Sequence, residues 1–199
     1  YLCSATSPFL SLLIPPFPSP ARCPVATDLY LKLIFDIERL RAGGGTKAVQ
    51  YAAFDAAVTG SHILDWVLNE LTPEAHLRLT GLKKGARQKK DEPGPITTFI
   101  ERNGGRMGGI DFCRQIANSV KHMKISFGKP MKDMAIGSTV KLEWTDNRIT
   151  NAYSIAYIQI EPEGEKINVV ELFQDTAEQW REFLEREGLW VEQPPDWEE

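Results

Sequence analysis

Cysteine is scarce in this chain, and the three cysteines lie far apart, at positions 3, 23 and 113. No C-x-x-C pair is present and the count is odd, which argues against a disulfide scaffold and against a cysteine-ligated zinc site. No ligand-dense motif such as H-E-x-x-H appears either. We therefore expect a cytoplasmic protein without a metal or a cofactor.

Long apolar runs are also missing. The longest candidate, "FLSLLI", ends at Pro15 and Pro16 and has no basic segment before it, which indicates neither a secretory signal nor a membrane anchor. Residues 1–27 contain six prolines and a single charged residue. Such a composition buries too little apolar surface to offset the entropy of ordering, so we expect a disordered tail there.

Helical periodicity dominates residues 28–136, and strand patterns follow in residues 137–188. Two helices are predicted first, one from residue 28 and a long one over residues 46–71 that is rich in alanine and glycine. A charged loop, "KKGARQKKDEPGPI", separates them from a helix over about residues 109–124. Strands are predicted in "TVKLEWT", "YSIAYIQI" and "KINVVELF", and a last helix follows a cap at Asp175 or Thr176. The sequence thus predicts one α+β domain over residues 28–188, with an antiparallel helical core, a three-stranded antiparallel β-meander, a C-terminal helix and an acidic tail at 189–199.

Charge is unevenly distributed along the chain. Residues 81–132 contain twelve Lys and Arg against four Asp and Glu, whereas residues 161–199 contain thirteen acidic residues against three basic ones. Either the two segments attract each other within the fold, or the basic segment binds an anionic partner. If it binds nucleic acid, its candidate contacts are Lys83, Lys84, Arg87, Lys89 and Lys90.

One polar strip on the predicted helix "DFCRQIANSVKHMK" contains residue types that are suited to catalysis. Arg114, Asn118 and His122 are four residues apart and therefore lie along one side of the helix. Cleavage of RNA without a metal needs a proton donor or acceptor and cations near the phosphate. His122 suits the first role, and Arg114 and Lys121 suit the second, while Asn118 could orient the histidine. The structural alternative is that His122 stabilises the C-terminus of its helix.

A second polar strip lies on the long helix. Asp55 and His62 are seven residues apart, and Asp65 follows His62 by three. A carboxylate beside a histidine fixes its tautomer and raises its basicity, so these residues could support the strip of Arg114, Asn118 and His122. The alternative is that they are ordinary satisfied polar groups on a buried helix.

These residues carry a resemblance to a family. "AAFDAAVTGSHILDWVL", the variable loop and "ANSVKHMK" together resemble the HEPN superfamily over about residues 46–124. The resemblance implies an all-helical core, frequent homodimers, and often a metal-independent ribonuclease of a toxin–antitoxin or other defence system, with a protein antitoxin as partner. Asn118 and His122 match the motif, whereas Ala117 stands where the family has arginine, and Arg114 lies one turn earlier. Asp55 or Asp65 would stand for the acidic residue that some members carry.

Three hypotheses follow. The chain is a HEPN-like endoribonuclease with His122 as acid or base, or a non-catalytic relative that binds RNA or a nucleotide through its basic loop. The third is a non-enzymatic α+β interaction or structural protein whose polar strip only stabilises the fold. Since the small-residue helix lets another helix approach closely, we expect it to form the interface of any homodimer.

Overall fold

The computed structural model describes residues 25–89, 91–121, 135–146, 148–159 and 166–192. The helices and strands, in chain order, are α1 Ala26–Arg41, α2 Thr46–Glu70, α3 Pro73–Thr80, α4 Pro95–Asn103, α5 Gly108–Lys121, β1 Ala135–Thr145, β2 Arg148–Gln159, β3 Lys166–Asn168 and α6 Val169–Arg186. Helices precede an antiparallel sheet of order β1-β2-β3, and a helix closes the domain. The predicted α+β fold is confirmed.

Helix α2 lies at the centre of the fold, in contact with α1, α4, α5, α6 and the sheet. Its small residues make these contacts possible: a side-chain carbon added at Gly60 would lie only 2.9 Å from the Cys113 sulfur of α5. The Trp180 indole of α6 donates a hydrogen bond to the Gly60 carbonyl oxygen at 3.2 Å. The small residues are all buried, namely Ala52, Ala53, Ala56, Ala57 and Gly60. The expectation that this helix face forms a homodimer interface is therefore wrong, because the face is already covered within one chain.

The hairpin of β1 and β2 is longer than the sequence predicts. The predicted connection "DNRITNA" is mostly strand, because β2 begins at Arg148 and pairs with β1 as far as Thr145. Asp146 supports the tight turn with a positive φ of 51°, a conformation that aspartate tolerates better than most residues. Gln50 of α2 donates a hydrogen bond to the Ser138 hydroxyl at 3.3 Å and so ties the hairpin to the helical core.

The third strand is shorter than predicted. Only Lys166–Asn168 pairs with β2, and the rest of the predicted strand "KINVVELF" belongs to α6. The Asn168 side chain caps α6 by accepting a hydrogen bond from the Val170 amide at 3.0 Å, which displaces the predicted cap at Asp175 or Thr176. Helical packing decides between the two conformations, since Val169, Phe173 and Trp180 lie on one buried helix face.

The folded domain extends beyond the predicted range 28–188 at both ends. Helix α1 begins at Ala26, and Ala26 and Thr27 are buried although the prediction assigns them to the N-terminal tail. The Thr27 hydroxyl donates to the Leu189 carbonyl and accepts from the Val191 amide, each at 3.1 Å. The first residues of the predicted acidic tail therefore pack on α1. Residues 1–24 lie outside the described residues.

Candidate functional site

The structure describes only part of the predicted strip of Arg114, Asn118 and His122 on α5. The Arg114 guanidinium donates to the Thr97 hydroxyl of α4 at 3.1 Å, so it helps to hold two helices together. Asn118 is half-buried on the same helix. Lys121 is the last residue of α5 and His122 follows it, and neither the Lys121 side chain nor His122 belongs to the described residues. The predicted catalytic role of His122 therefore stays a prediction.

Ala117, which stands in the motif's arginine position, faces the core. It is only 3% exposed. A side chain that must reach a phosphate cannot work from such a position without repacking the helices around it. Ala117 is buried, and Arg114, one turn earlier, already donates one of its N–H groups to Thr97.

The supporting residues on α2 lie at separate places. Asp55 is half-exposed and forms an ion pair with Arg39 of α1, with nitrogen and oxygen 3.2 Å apart. His62 is half-buried farther along the helix, and Asp65 lies on the wall of a cleft near its end. Among the described side chains, no hydrogen bond or ion pair joins Asp55 or Asp65 to Arg114 or Asn118. The described contacts of Asp55 and Asp65 therefore do not link these two carboxylates to the strip on α5, and their supporting role stays a prediction.

The basic loop, residues 83–90, connects α3 to α4. Lys83, Arg87 and Lys89 are exposed, and Lys89 forms an ion pair with Glu92 at 3.0 Å. Lys84 differs from them, because its ammonium group donates to the Asn69 and Leu71 carbonyl oxygens at 2.6 and 2.7 Å. It thereby caps the C-terminus of α2, where the unsatisfied carbonyls attract a cation. Lys90 lies outside the described residues.

A cleft of about 480 Å³ lies beneath the basic loop. We call it the loop cleft. Its walls come from the end of α2, from α3, from the basic loop and from the start of α4, and they consist of Asp65, Leu68, Asn69, His76, Lys84, Gly85, Ala86, Gln88, Pro95 and Ile96. The structure thus brings Asp65 and Lys84, which the sequence assigns to different roles, to one cleft.

His76 is the one histidine that lines the loop cleft, and the sequence analysis did not single it out. Its Nδ1 donates to the Leu82 carbonyl oxygen at 2.9 Å, which requires a proton on that nitrogen. Thr80, four residues later, donates to the His76 carbonyl oxygen at 2.7 Å and accepts from the Leu82 amide at 3.0 Å. Nε2 makes no hydrogen bond with the described residues and is left as an acceptor. The His-x-x-x-Thr-Gly spacing at the end of a short helix was the available signal.

Cys113 has no role as a nucleophile. It is fully buried between α2 and α5, and burial raises the pKa of its thiol to about 12. The reactive form of cysteine is the thiolate, which is negligible at such a pKa.

Comparisons with protein-family models, with curated proteins and with solved structures found no match. In the described ranges there is no cluster of three metal-ligating side chains. None of the helices within those ranges is long and apolar enough to span a bilayer.

Proposed function

We propose that this protein is a non-catalytic HEPN-like module that binds single-stranded RNA in the cytoplasm through the basic loop. The observation that carries the proposal is the electrostatic state of that loop. Lys83 and Arg87 are exposed, and neither forms an ion pair or hydrogen bond through its side chain with any described residue. Exposed cations without a partner are available to phosphate groups.

The acidic C-terminal segment does not neutralise this loop in the described structure. Glu187 pairs with Arg78 and Arg186, Glu185 pairs with Arg181, and none of the described ion pairs joins an acid of this segment to the basic loop. Of the two explanations for the charge asymmetry, an anionic partner is therefore the one that the described ion pairs favour.

The residues that line the loop cleft suit a ligand that has both a charged and a planar part. Leu68, Pro95 and Ile96 supply apolar wall, while the Asn69 and Gln88 amides and the His76 ring supply hydrogen-bonding groups. Ligand sites commonly combine apolar walls with a few such groups. A base of the bound strand can enter this cleft while its phosphates remain at Lys83 and Arg87.

Of the two HEPN-like hypotheses, the described part of α5 favours the one in which RNA is bound but not cleaved. Its arginine position is the buried Ala117, and Arg114 is held by Thr97. Cleavage would need cations next to the charge that develops on the phosphate oxygens, and the one described cationic side chain of α5, Arg114, already contacts Thr97 of α4.

The test is RNA binding as a function of salt. Binding of a fluorescent mixed-sequence single-stranded RNA is measured by anisotropy between 50 and 200 mM salt, and each phosphate contact on a single strand contributes about 0.7 to the slope of log affinity against log salt. The variant Lys83→Gln/Arg87→Gln removes two contacts, so its slope should become shallower by about 1.4. The matched control is Lys47→Gln/Arg148→Gln, which removes one lysine and one arginine at exposed positions elsewhere.

The control variant should bind as the unmodified protein does. Equal loss in both variants would indicate attraction by overall charge, and an unchanged loop variant would refute the basic loop as the site. The same samples are incubated in EDTA and scanned for 2′,3′-cyclic phosphate ends, with a folded His122→Ala variant alongside. Cleavage that this substitution abolishes would replace the binding proposal with a metal-independent ribonuclease.

A further inference from the structure

Strand β1 has an open edge. The strand order is β1-β2-β3, so β2 covers one side of β1 and no described strand covers the other. The Glu143 carbonyl oxygen accepts a hydrogen bond from Thr150 of β2 at 3.2 Å and therefore points toward β2. Because backbone groups alternate in direction along a strand, Leu142 presents its N–H and C=O to the open edge. Strand β1 spans eleven residues, of which residues 139–143 are exposed, and such an open edge is a template for another strand.

The apolar face of the hairpin extends beyond the helices that cover it. Ser154 and Ala156 of β2 are buried, and Ser138 opposite Ala156 contacts α2. Farther along the same face, Val140 is 53% exposed and Leu142 is 45% exposed. Ile149, near the hairpin turn, is 52% exposed. This end of the sheet therefore presents apolar side chains that no described element covers.

The opposite face of β1 has a self-complementary charge pattern. Lys141 and Glu143 are both exposed and two residues apart, so they lie on the same face. If a second β1 pairs antiparallel with its centre at Leu142, Lys141 lies opposite Glu143 of the partner subunit, and Glu143 opposite Lys141 of the partner subunit. A centre at Lys141 or at Glu143 would instead place like charges together, and a centre at Val140 would leave both charges opposite uncharged residues. Only the Leu142 register satisfies both charges while joining the apolar faces.

We propose that a second copy of this chain pairs with β1 along this edge, in the antiparallel register centred on Leu142. The two three-stranded sheets then form one continuous sheet about a twofold axis, as closed homodimers require. Leu142 lies opposite Leu142 of the partner subunit in a hydrogen-bonded pair. Lys141 and its partner-subunit glutamate occupy a non-hydrogen-bonded pair, where side chains approach most closely. This interface is independent of the RNA-binding proposal.

The test exploits the symmetry of the charges. Sedimentation equilibrium on the full chain measures the dimer dissociation constant for the unmodified protein, for Lys141→Glu and for Glu143→Lys. Each single substitution places like charges opposite each other twice, so each should weaken the dimer by about tenfold. The double variant Lys141→Glu/Glu143→Lys restores both pairs and should dimerise as the unmodified protein does. An equimolar mixture of the two single variants should form a heterodimer for the same reason.

Circular dichroism and thermal unfolding confirm that each variant is folded, since both positions are exposed on the hairpin. A monomeric unmodified protein would overturn the proposal. A dimer that neither single substitution weakens would also overturn it, and so would single variants that weaken the dimer but do not recover on mixing.

Discussion

The contact between Gly60 of α2 and Cys113 of α5 allows a sharp test of the helical core. An alanine at position 60 would place its Cβ 2.9 Å from the Cys113 sulfur and 3.8 Å from the Leu33 methyl group. Overpacking of this kind costs about 1–3 kcal/mol, whereas replacing glycine in a helix interior stabilises by about 1 kcal/mol. Gly60→Ala should therefore lower the free energy of unfolding by about 1 kcal/mol.

The second half of the test removes the sulfur. Cys113→Ala alone leaves a small void and should cost about 1 kcal/mol. In Gly60→Ala/Cys113→Ala, the new methyl group fills that void, and its distance to the Cys113 Cβ position is an ordinary 3.6 Å. The double variant should be about as stable as the unmodified protein, which corresponds to a favourable coupling of about 2 kcal/mol.

Urea unfolding followed by circular dichroism measures all four stabilities. The Trp180 hydrogen bond to the Gly60 carbonyl remains possible in each variant, because the acceptor belongs to the main chain. Gly108→Ala is the control, since an added carbon there meets nothing within 4 Å. Additive effects, within about 0.5 kcal/mol, would refute the close approach of α2 and α5 at this point.

Two further predictions concern buried groups. In a Cys3→Ser/Cys23→Ser variant, Cys113 is the single remaining cysteine. It should not react with a thiol reagent in the folded protein at mildly alkaline pH, because burial raises the pKa of its thiol to about 12. It should react once denaturant is added, and rapid labelling of the folded protein would contradict its burial. Asp36 is 1% exposed and accepts from the Thr59 hydroxyl at 2.7 Å and from the Lys32 ammonium at 2.6 Å. Asp36→Ala should lower the free energy of unfolding by about 2 kcal/mol, less than for a fully buried pair because Lys32 is half-exposed and regains water; a loss below about 0.5 kcal/mol in urea unfolding would show that the network is not stabilising.

The helices were predictable where local pattern and packing agree. In α2 the apolar positions recur at helical spacing, and the small residue Gly60 lies against Leu33 of α1, Cys113 of α5 and Trp180 of α6. The start of α6 was not predictable in this way, because Val169 and Val170 favour a strand locally. Burial of Val169 with Phe173 and Trp180, together with the Asn168 cap, outweighs that preference.

The candidate site was predictable only in its charges. The sequence shows a basic loop, but the loop cleft depends on how α3 and α4 pack on the end of α2. Lys84 illustrates the difference, because its bonds to the Asn69 and Leu71 carbonyls join residues 13 to 15 positions apart. His76 likewise becomes part of the cleft through its bond to Leu82, a contact that periodicity does not reveal.

The role of Lys84 limits how the basic loop can bind RNA. A lysine that caps α2 cannot bind phosphate without exposing two carbonyl oxygens, and Lys89 is paired with Glu92, so Lys83 and Arg87 are the described loop cations that remain without a partner. Two contacts on a single strand correspond to a salt slope of about 1.4. A much steeper slope would require further cations, and Arg102 of α4 is one described candidate, since its guanidinium lies 3.0 Å from the position that a Cβ on Gly81 would take, at the start of the same connection. The measured slope thus distinguishes a surface confined to the basic loop from one that extends onto α4.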